Sequence, residues 1–282
     1  MPLISVDELA ARIGDPDLRV ADVRWYLNQP GAGRRAYDAG HIPGAMFLDL
    51  DADLSAAEGP GRHPLPDPEE FRARLARAGI GSDHFVVAYD DAGGTVAARL
   101  WWMLDNLGHG AVKVLDGGIG AWLAAGHELT DEEPHWPPAQ LVLADRWHGV
   151  IDRGHLAENL GELTLLDARA AERYRGEVEP IDPVAGHIPT AISVPTAANL
   201  DDEGRFLPAA ALRQRFAALA EGDQPIVTSC GSGTTACHHA LAMRHAGLPD
   251  PILYVGSFSD WSTAGMPVAT GAEPAAPPGS DR

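Results

Sequence analysis

The feature that most constrains this chain is that it repeats itself. Gly40-His41-Ile42-Pro43-Gly44-Ala45 returns as Gly186-His187-Ile188-Pro189-Thr190-Ala191, an offset of 146 residues. Upstream, Val20-Ala21-Asp22-Val23-Arg24 returns as Leu165-Leu166-Asp167-Ala168-Arg169, at an offset of 145. Downstream, Val86–Asp90 pairs with Ile226–Cys230 at 140, and Leu115–Trp122 pairs with Tyr254–Trp261 at 139. Four matches in one order identify a duplicated domain. The falling offset places about six extra residues in the first copy, and the Gly/Pro-rich stretch Glu58–Pro68 accommodates them.

Both copies read alike. A helix (Val6–Ile13; His155–Leu160) precedes a short apolar strand ending in Asp-x-Arg, and an irregular segment leads to Gly-His-Ile-Pro. A second short strand follows (Ala45–Leu48; Ala191–Val194), then an amphipathic helix (Pro68–Ala78; Pro208–Leu219). A bare apolar strand (Phe85–Tyr89; Pro225–Ser229) then runs through a glycine-bearing turn into a helix (Thr95–Leu107; Thr234–Ala246). A last strand (Val112–Leu115; Ile252–Val255) is followed by a helix with a tryptophan. Short β-branched strands alternating with helices predict an α/β fold, a mostly parallel central sheet with helices on both faces. The expected organisation is a domain over 1–128, an extended Pro-rich linker over 129–146, a second domain over 147–270 and a disordered tail over 271–282. Trp101, Trp102, Trp122 and Trp261 fall on apolar faces and are expected in the core.

Composition removes several classes of function. Asp plus Glu is 40 against 21 Lys plus Arg, a net charge of −19, which repels nucleic acid and anionic membrane. The single lysine, Lys113, lacks a preceding glycine loop, which argues against a P-loop, and Schiff-base chemistry would depend on that one residue. No run of 18 apolar residues is present, and the first residues lack the pattern of a signal peptide. With only two cysteines, Cys230 and Cys237, the expectation is a cytoplasmic protein with reduced thiols.

The chemistry concentrates at Ser229-Cys230-Gly231-Ser232-Gly233-Thr234-Thr235-Ala236-Cys237, between a strand and a helix. In open α/β sheets, ligands bind at the carboxyl ends of strands. A cysteine at a helix N-terminus faces the positive end of the dipole and unpaired backbone N–H groups, which favours the thiolate, the reactive form. Gly231 and Gly233 let the backbone curl into an anion-binding cradle, and Ser232, Thr234 and Thr235 add hydroxyls. A buried structural thiol is the plain alternative, but the first copy carries Asp90 at this place, so one live site beside a degenerate one is the simpler reading. A cysteine phosphatase needs an arginine six positions on, where Ala236 stands. Cys230, Cys237, His238 and His239 lack a zinc spacing, and the two histidines read as helix-surface residues. Sulfur transfer through a Cys230 persulfide remains, with no metal or organic cofactor.

The tandem Gly-His-Ile-Pro domains and the loop Cys230-Gly231-Ser232-Gly233-Thr234-Thr235 resemble the two-domain rhodanese family over about residues 1–270. The resemblance implies two tandem rhodanese-like domains, the second catalytic. Within the family the loop is similar to the Cys-Gly-Ser-Gly-Val-Thr of 3-mercaptopyruvate sulfurtransferases, with Thr234 in place of valine. Thiosulfate sulfurtransferases usually carry Cys-Arg-Lys-Gly-Val-Thr. A neutral loop suits a monoanionic keto acid and a basic one suits the thiosulfate dianion. The implied partners are a small-molecule sulfur donor and a thiol acceptor such as thioredoxin, with thiosulfate:cyanide transfer and a low-turnover persulfide carrier as alternatives.

The segment Asp167–Gly176 resembles the family's substrate-binding stretch, which makes Arg173 the clamp for the substrate carboxylate and carbonyl. The family often has a second substrate arginine some residues later. This segment is about two residues shorter and carries Ile181-Asp182 there. Arg169 reads instead as part of a structural network with Asp167. The resemblance also implies that the first-copy His41 joins Ser232 in a relay that protonates the leaving enolate. The aspartate expected upstream is missing, with Asp38 nearby. His187 sits in the same motif without any catalytic need, so a structural turn role for His41 stands beside the catalytic one.

Overall fold

In the computed structural model, which describes residues 1–219 and 224–278, each copy of the repeat builds a five-stranded sheet in which every strand pairing is parallel. The first unit runs β1 (Leu3–Ile4), α1 (Val6–Ala10), β2 (Leu18–Asp22), α2 (Ala32–Ala39), β3 (Ala45–Phe47), α3 (Pro68–Arg77), β4 (Phe85–Tyr89), α4 (Ala97–Asn106), β5 (Val112–Leu115) and α5 (Gly118–Ala124). The second runs β6 (Val150–Ile151), α6 (Arg153–Glu158), β7 (Thr164–Asp167), α7 (Ala171–Tyr174), β8 (Ile192–Ser193), α8 (Ala209–Ala217), β9 (Ile226–Ser229), α9 (Ala236–His245), β10 (Ile252–Tyr254) and α10 (Ser257–Thr263). The strand orders, β1-β5-β4-β2-β3 and β6-β10-β9-β7-β8, are the same order twice.

The duplication persists in atomic detail. In the first unit the Asp22 carboxylate takes a fork of hydrogen bonds from Arg24, whose Nη2 also donates to the carbonyl of Gly40 at 2.8 Å. In the second, Arg169 forks onto Asp167 and donates to Gly186 at 2.7 Å. Arg169 is therefore the structural arginine anticipated for it. It ties the end of β7 to the Gly-His-Ile-Pro turn, as Arg24 ties β2. Tyr37 stacks on His41 with ring centroids 3.8 Å apart, and Tyr174 on His187 at the same distance.

These tyrosines explain two helices that the sequence pattern reads as irregular. Glycines flank α2, but the Arg34–Asp38 pair at i, i+4 and the buried Tyr37, whose hydroxyl donates to the carbonyl of Ala45, hold it. α7 is a single turn carrying Tyr174 to the same place. β1 and β6 are two-residue edge strands, too short for a sequence pattern to register. Elsewhere local rules suffice. Ser5 and Glu8 form a capping box on α1, and Asp67 with Pro68 starts α3. β4 and β9 lie inside their sheets, and β4 is accordingly a continuous run of apolar and aromatic residues. Trp101, Trp102, Trp122 and Trp261 are all buried, the last two in the cores of their respective units.

The units do not follow the 1–128 and 147–270 division. Unit one comprises Met1–Ala57, Leu65–His148 and Leu200–Phe206. Unit two comprises Glu58–Pro64, Gly149–Asn199 and Leu207–Arg282. The extra residues of the first copy thus belong to the second unit. The expected linker is extended and lies against unit one, where Thr130 pairs with His41 and the carbonyl of Gln140 accepts from Ser82. In the expected tail, Gly271 donates to Arg175 and Ala275 accepts from Thr190, while residues 279–282 lie outside the described residues. Among the described residues no helix is long and apolar enough to cross a membrane.

Candidate active site

β9 delivers Cys230 to the carboxyl edge of the second sheet, and the chain curls before entering α9. Cys230 is 2% exposed. Its Sγ accepts hydrogen bonds from the backbone N–H groups of Ser232 at 3.4 Å and Gly233 at 3.1 Å. Gly233 has φ +79, and a Cβ there would lie 2.3 Å from the carbonyl oxygen of Val255, so glycine is required. From the other side, the Ser257 hydroxyl accepts from the Cys230 amide at 3.0 Å and donates to Tyr254 at 2.8 Å. Ser257 sits at φ +52 where the first unit has Gly118 at φ +56. A side chain is held in the left-handed region here, and its hydroxyl fixes the backbone of Cys230.

The first unit shows what the same loop does without a cysteine. Asp90 follows β4 as Cys230 follows β9. Its two oxygens accept from the amides of Ala92, Gly94, Val96 and Ala97 at 2.8–2.9 Å. The cradle is filled by its own side chain. In the second loop two amides, those of Ser232 and Gly233, point at the Cys230 sulfur instead.

The histidine that reaches Ser232 is His63, not His41. His63 Nδ1 lies 2.7 Å from Ser232 Oγ and 3.3 Å from Thr234 Oγ1, with all three residues buried. His41 is fully buried in unit one, where Nδ1 meets the carbonyl of Tyr37 at 2.9 Å and Nε2 that of Glu132 at 3.1 Å. Both ring nitrogens are occupied by backbone, and Asp38 is paired with Arg34. The expectation of a Ser232–His41 pair is thus corrected. The turn motif consumes its histidine in both copies, since His187 Nδ1 likewise meets Tyr174 at 2.8 Å. The sequence did hold a signal for His63, because it lies within the extra residues of the first copy.

Arg173 stands beside the loop. A Cβ placed on Gly231 would lie 3.6 Å from its Nη1. Arg173 Nη2 donates to Glu179 at 2.7 Å and Asp182 at 3.3 Å, carboxylates that sequence reasoning did not assign to it as partners. Burial alone would raise Glu179, but Arg173 and the amides of Asp182 and Ile181 bring its carboxyl below the usual range. Thr235 is half-buried at the start of α9 and Thr234 lines the His63 contact. Arg62 also approaches Gly231.

The helix histidines are not on the surface. His238 and His239 are fully buried, as α9 is packed on nearly all sides. His239 Nε2 donates to Val194 at 2.8 Å and the Thr228 hydroxyl meets Nδ1 at 3.0 Å, so the ring is a neutral strut between β9 and the segment after β8. Cys237 points its thiol at the Gly233 carbonyl, 3.4 Å away. Among the described residues no group of three His, Cys, Asp or Glu could hold a metal ion.

With this geometry in place, comparisons with known proteins are informative. The model of the rhodanese-like domain matches twice, over residues 5–125 and 152–264. A Pseudomonas aeruginosa protein named a probable 3-mercaptopyruvate sulfurtransferase is 49% identical over 278 residues, 95% of this chain and 98% of its own. The Arabidopsis thaliana thiosulfate/3-mercaptopyruvate sulfurtransferase 2 is 33% identical over 290 residues, 93% of this chain and 84% of its own. The crystal structure of SseA from Escherichia coli, titled for the rhodanese fold and mechanism of the mercaptopyruvate enzymes, superposes with a TM-score of 0.80. It is 32% identical and covers 92% of this chain and 99% of its own. This chain belongs to the rhodanese family and carries two tandem rhodanese-like domains.

Proposed function

We propose that this chain is a sulfurtransferase that takes sulfane sulfur from 3-mercaptopyruvate and passes it, through a Cys230 persulfide, to a thiol acceptor. The observation that carries the reading is Cys230 Sγ, held under two loop amides beside a Ser232–His63 pair. The Cys230 thiolate attacks the donor sulfur, forming an S–S bond as the C–S bond breaks. The electron pair moves onto the pyruvate enolate. Ser232, hydrogen-bonded to His63, supplies the proton that converts the enolate to pyruvate. An acceptor thiolate such as that of thioredoxin then attacks the outer sulfur and releases the Cys230 thiolate. This is covalent catalysis by an activated nucleophile. Arg173 holds the donor carboxylate, and the amides and hydroxyls of Gly231, Gly233, Thr234 and Thr235 line the cradle. Free thiols at both cysteines suit action in the reducing cytoplasm.

Thiosulfate is the second donor to consider, because Arg62 and Arg173 bring two guanidinium groups to a loop whose own residues are neutral. Parallel steady-state kinetics with 3-mercaptopyruvate and thiosulfate, with cyanide as common acceptor, decide between them. A tenfold higher kcat/KM for mercaptopyruvate, about 1.4 kcal/mol of transition-state preference, is the expected result. A preference for thiosulfate overturns it. Cys230→Ser abolishes turnover of either donor, and retained turnover would refute the nucleophile.

A further inference from the structure

We propose that Thr234 is a positioning residue for the proton step: its hydroxyl takes over His63 Nδ1 when Ser232 turns to the substrate. This rests on the mercaptopyruvate reading above and deepens it.

Two hydroxyls compete for one nitrogen. Ser232 Oγ lies 2.7 Å from His63 Nδ1, and Thr234 Oγ1 lies 3.3 Å from it. Neither hydroxyl has another hydrogen-bond partner among the described residues. Both residues are more than nine-tenths buried, Ser232 at 8% exposure and Thr234 at 5%. An imidazole nitrogen offers one proton or one lone pair, so it satisfies one hydroxyl well at a time. The other is a buried polar group in need of a partner.

Both sides of the contact are fixed by backbone. Gly233, at φ +79, turns the chain just before Thr234, and the Thr234 carbonyl accepts from the Cys237 amide at 3.1 Å as α9 begins. Next to His63, the Arg62 amide donates to Ser259 Oγ at 3.1 Å. Gly61 lies so close to Gly256 that a Cβ would come within 2.5 Å of the carbonyl oxygen. A β-branched threonine also has little freedom at χ1. Valine, which the related loops carry here, would fill the same space without burying a hydroxyl on a contact as long as 3.3 Å.

The proton step gives that hydroxyl a use. The step starts from the Cys230 thiolate and the His63 imidazolium, whose Nδ1–H donates to Ser232 Oγ. Ser232 passes its own proton to the enolate carbon as the donor C–S bond breaks, and takes the Nδ1 proton in exchange. The donor's thiol proton stays on the outer persulfide sulfur, and ionisation of the acceptor thiol later returns a proton to the ring. After the exchange Nδ1 carries a lone pair and needs a donor, and Thr234 Oγ1–H supplies it. The Ser232 hydroxyl is then not drawn back onto the ring, and the reverse transfer is disfavoured. A hydroxyl accepts from the charged ring and donates to the neutral one, whereas valine does neither.

A hydroxyl that merely fastens the His63 segment is the competing account. Thr234→Val should lower kcat for 3-mercaptopyruvate about tenfold, part of the ~100-fold that a positioned proton donor supplies, with KM within about twofold. Discharge of a preformed Cys230 persulfide to cyanide involves no enolate and should keep its wild-type rate. Thr234→Ser, which keeps the hydroxyl and loses the methyl, should recover most of the loss. In a Ser232→Ala background Thr234→Val should have no further effect, because Thr234 acts on the Ser232 step. An unchanged kcat in Thr234→Val overturns the proposal. So does a Thr234→Ser protein as slow as Thr234→Val, which marks a packing role. An undiminished effect in the Ser232→Ala background overturns it too, and marks the fastening role. If the wild-type protein turns over thiosulfate but not 3-mercaptopyruvate, the parent reading fails and this one fails with it.

Discussion

His63 and Ser232 are 169 residues apart in the chain, yet the imidazole Nδ1 lies 2.7 Å from the hydroxyl. The pair assembles because the extra residues of the first copy belong to the second unit.

The two candidate histidines should therefore behave oppositely. His63→Gln should lower kcat with mercaptopyruvate by a factor of about 100, in line with loss of a positioned acid–base group. It should leave discharge of a preformed persulfide to cyanide unchanged. His41→Gln should cost about 2 kcal/mol of stability through the lost stack on Tyr37 and the stranded carbonyls. Its kcat per folded molecule should stay at the wild-type value. Denaturant melts with single-turnover kinetics on both variants would reverse the assignment if the effects were exchanged.

Asp90 is expected to act on folding alone. Asp90→Ala strands four amides, three of them buried, and should destabilise unit one by about 3 kcal/mol or more. Loss of the first cooperative step in urea, with Cys230 still titratable by an alkylating reagent, is the expected pattern. A wild-type melting curve would mean that the filled cradle contributes nothing.

At Gly233 a single methyl group should be decisive. Gly233→Ala places a Cβ 2.3 Å from the Val255 carbonyl on a residue at φ +79, so the loop must shift. Turnover should fall by a factor of about 100 or more, the size expected when a reacting group is misplaced by about 1 Å. Full activity would show that the loop geometry around Sγ is dispensable.

His239 supplies a pH dependence. Burial holds its imidazole down at about 4, from an ordinary value near 6.5. The unfolded chain takes up a proton between these values that the folded chain refuses. Its contribution is thus intact above about pH 6.5 and lost as pH falls toward 4, at about 1.4 kcal/mol per pH unit. His239→Gln should flatten the fall in unfolding free energy between pH 6.5 and 4.5. Equal slopes in the two proteins would sink the idea.

Much of this molecule was legible in one dimension. The repeat predicted two parallel α/β domains, because strand and helix periodicities are local and a duplicated pattern declares itself twice. The amide cradle around Cys230 was legible because a strand, a Gly-x-Gly turn and a helix are contiguous, so the amides that meet Sγ are its near neighbours in sequence. Arg169 was legible as structural from its repeat mate Arg24. The misassigned histidine shows where this ends. His41 and His187 share a motif, and the motif uses the ring for backbone hydrogen bonds. Partnership with Ser232 was decided by which loop packs on unit two, and no local pattern encodes that. The same holds for Arg62 at Gly231 and for the acids on Arg173. Periodicity and turn chemistry are short-range and are written into the chain directly. The meeting of side chains more than a hundred residues apart depends on the packing of folded surfaces, and only the tertiary structure decides it.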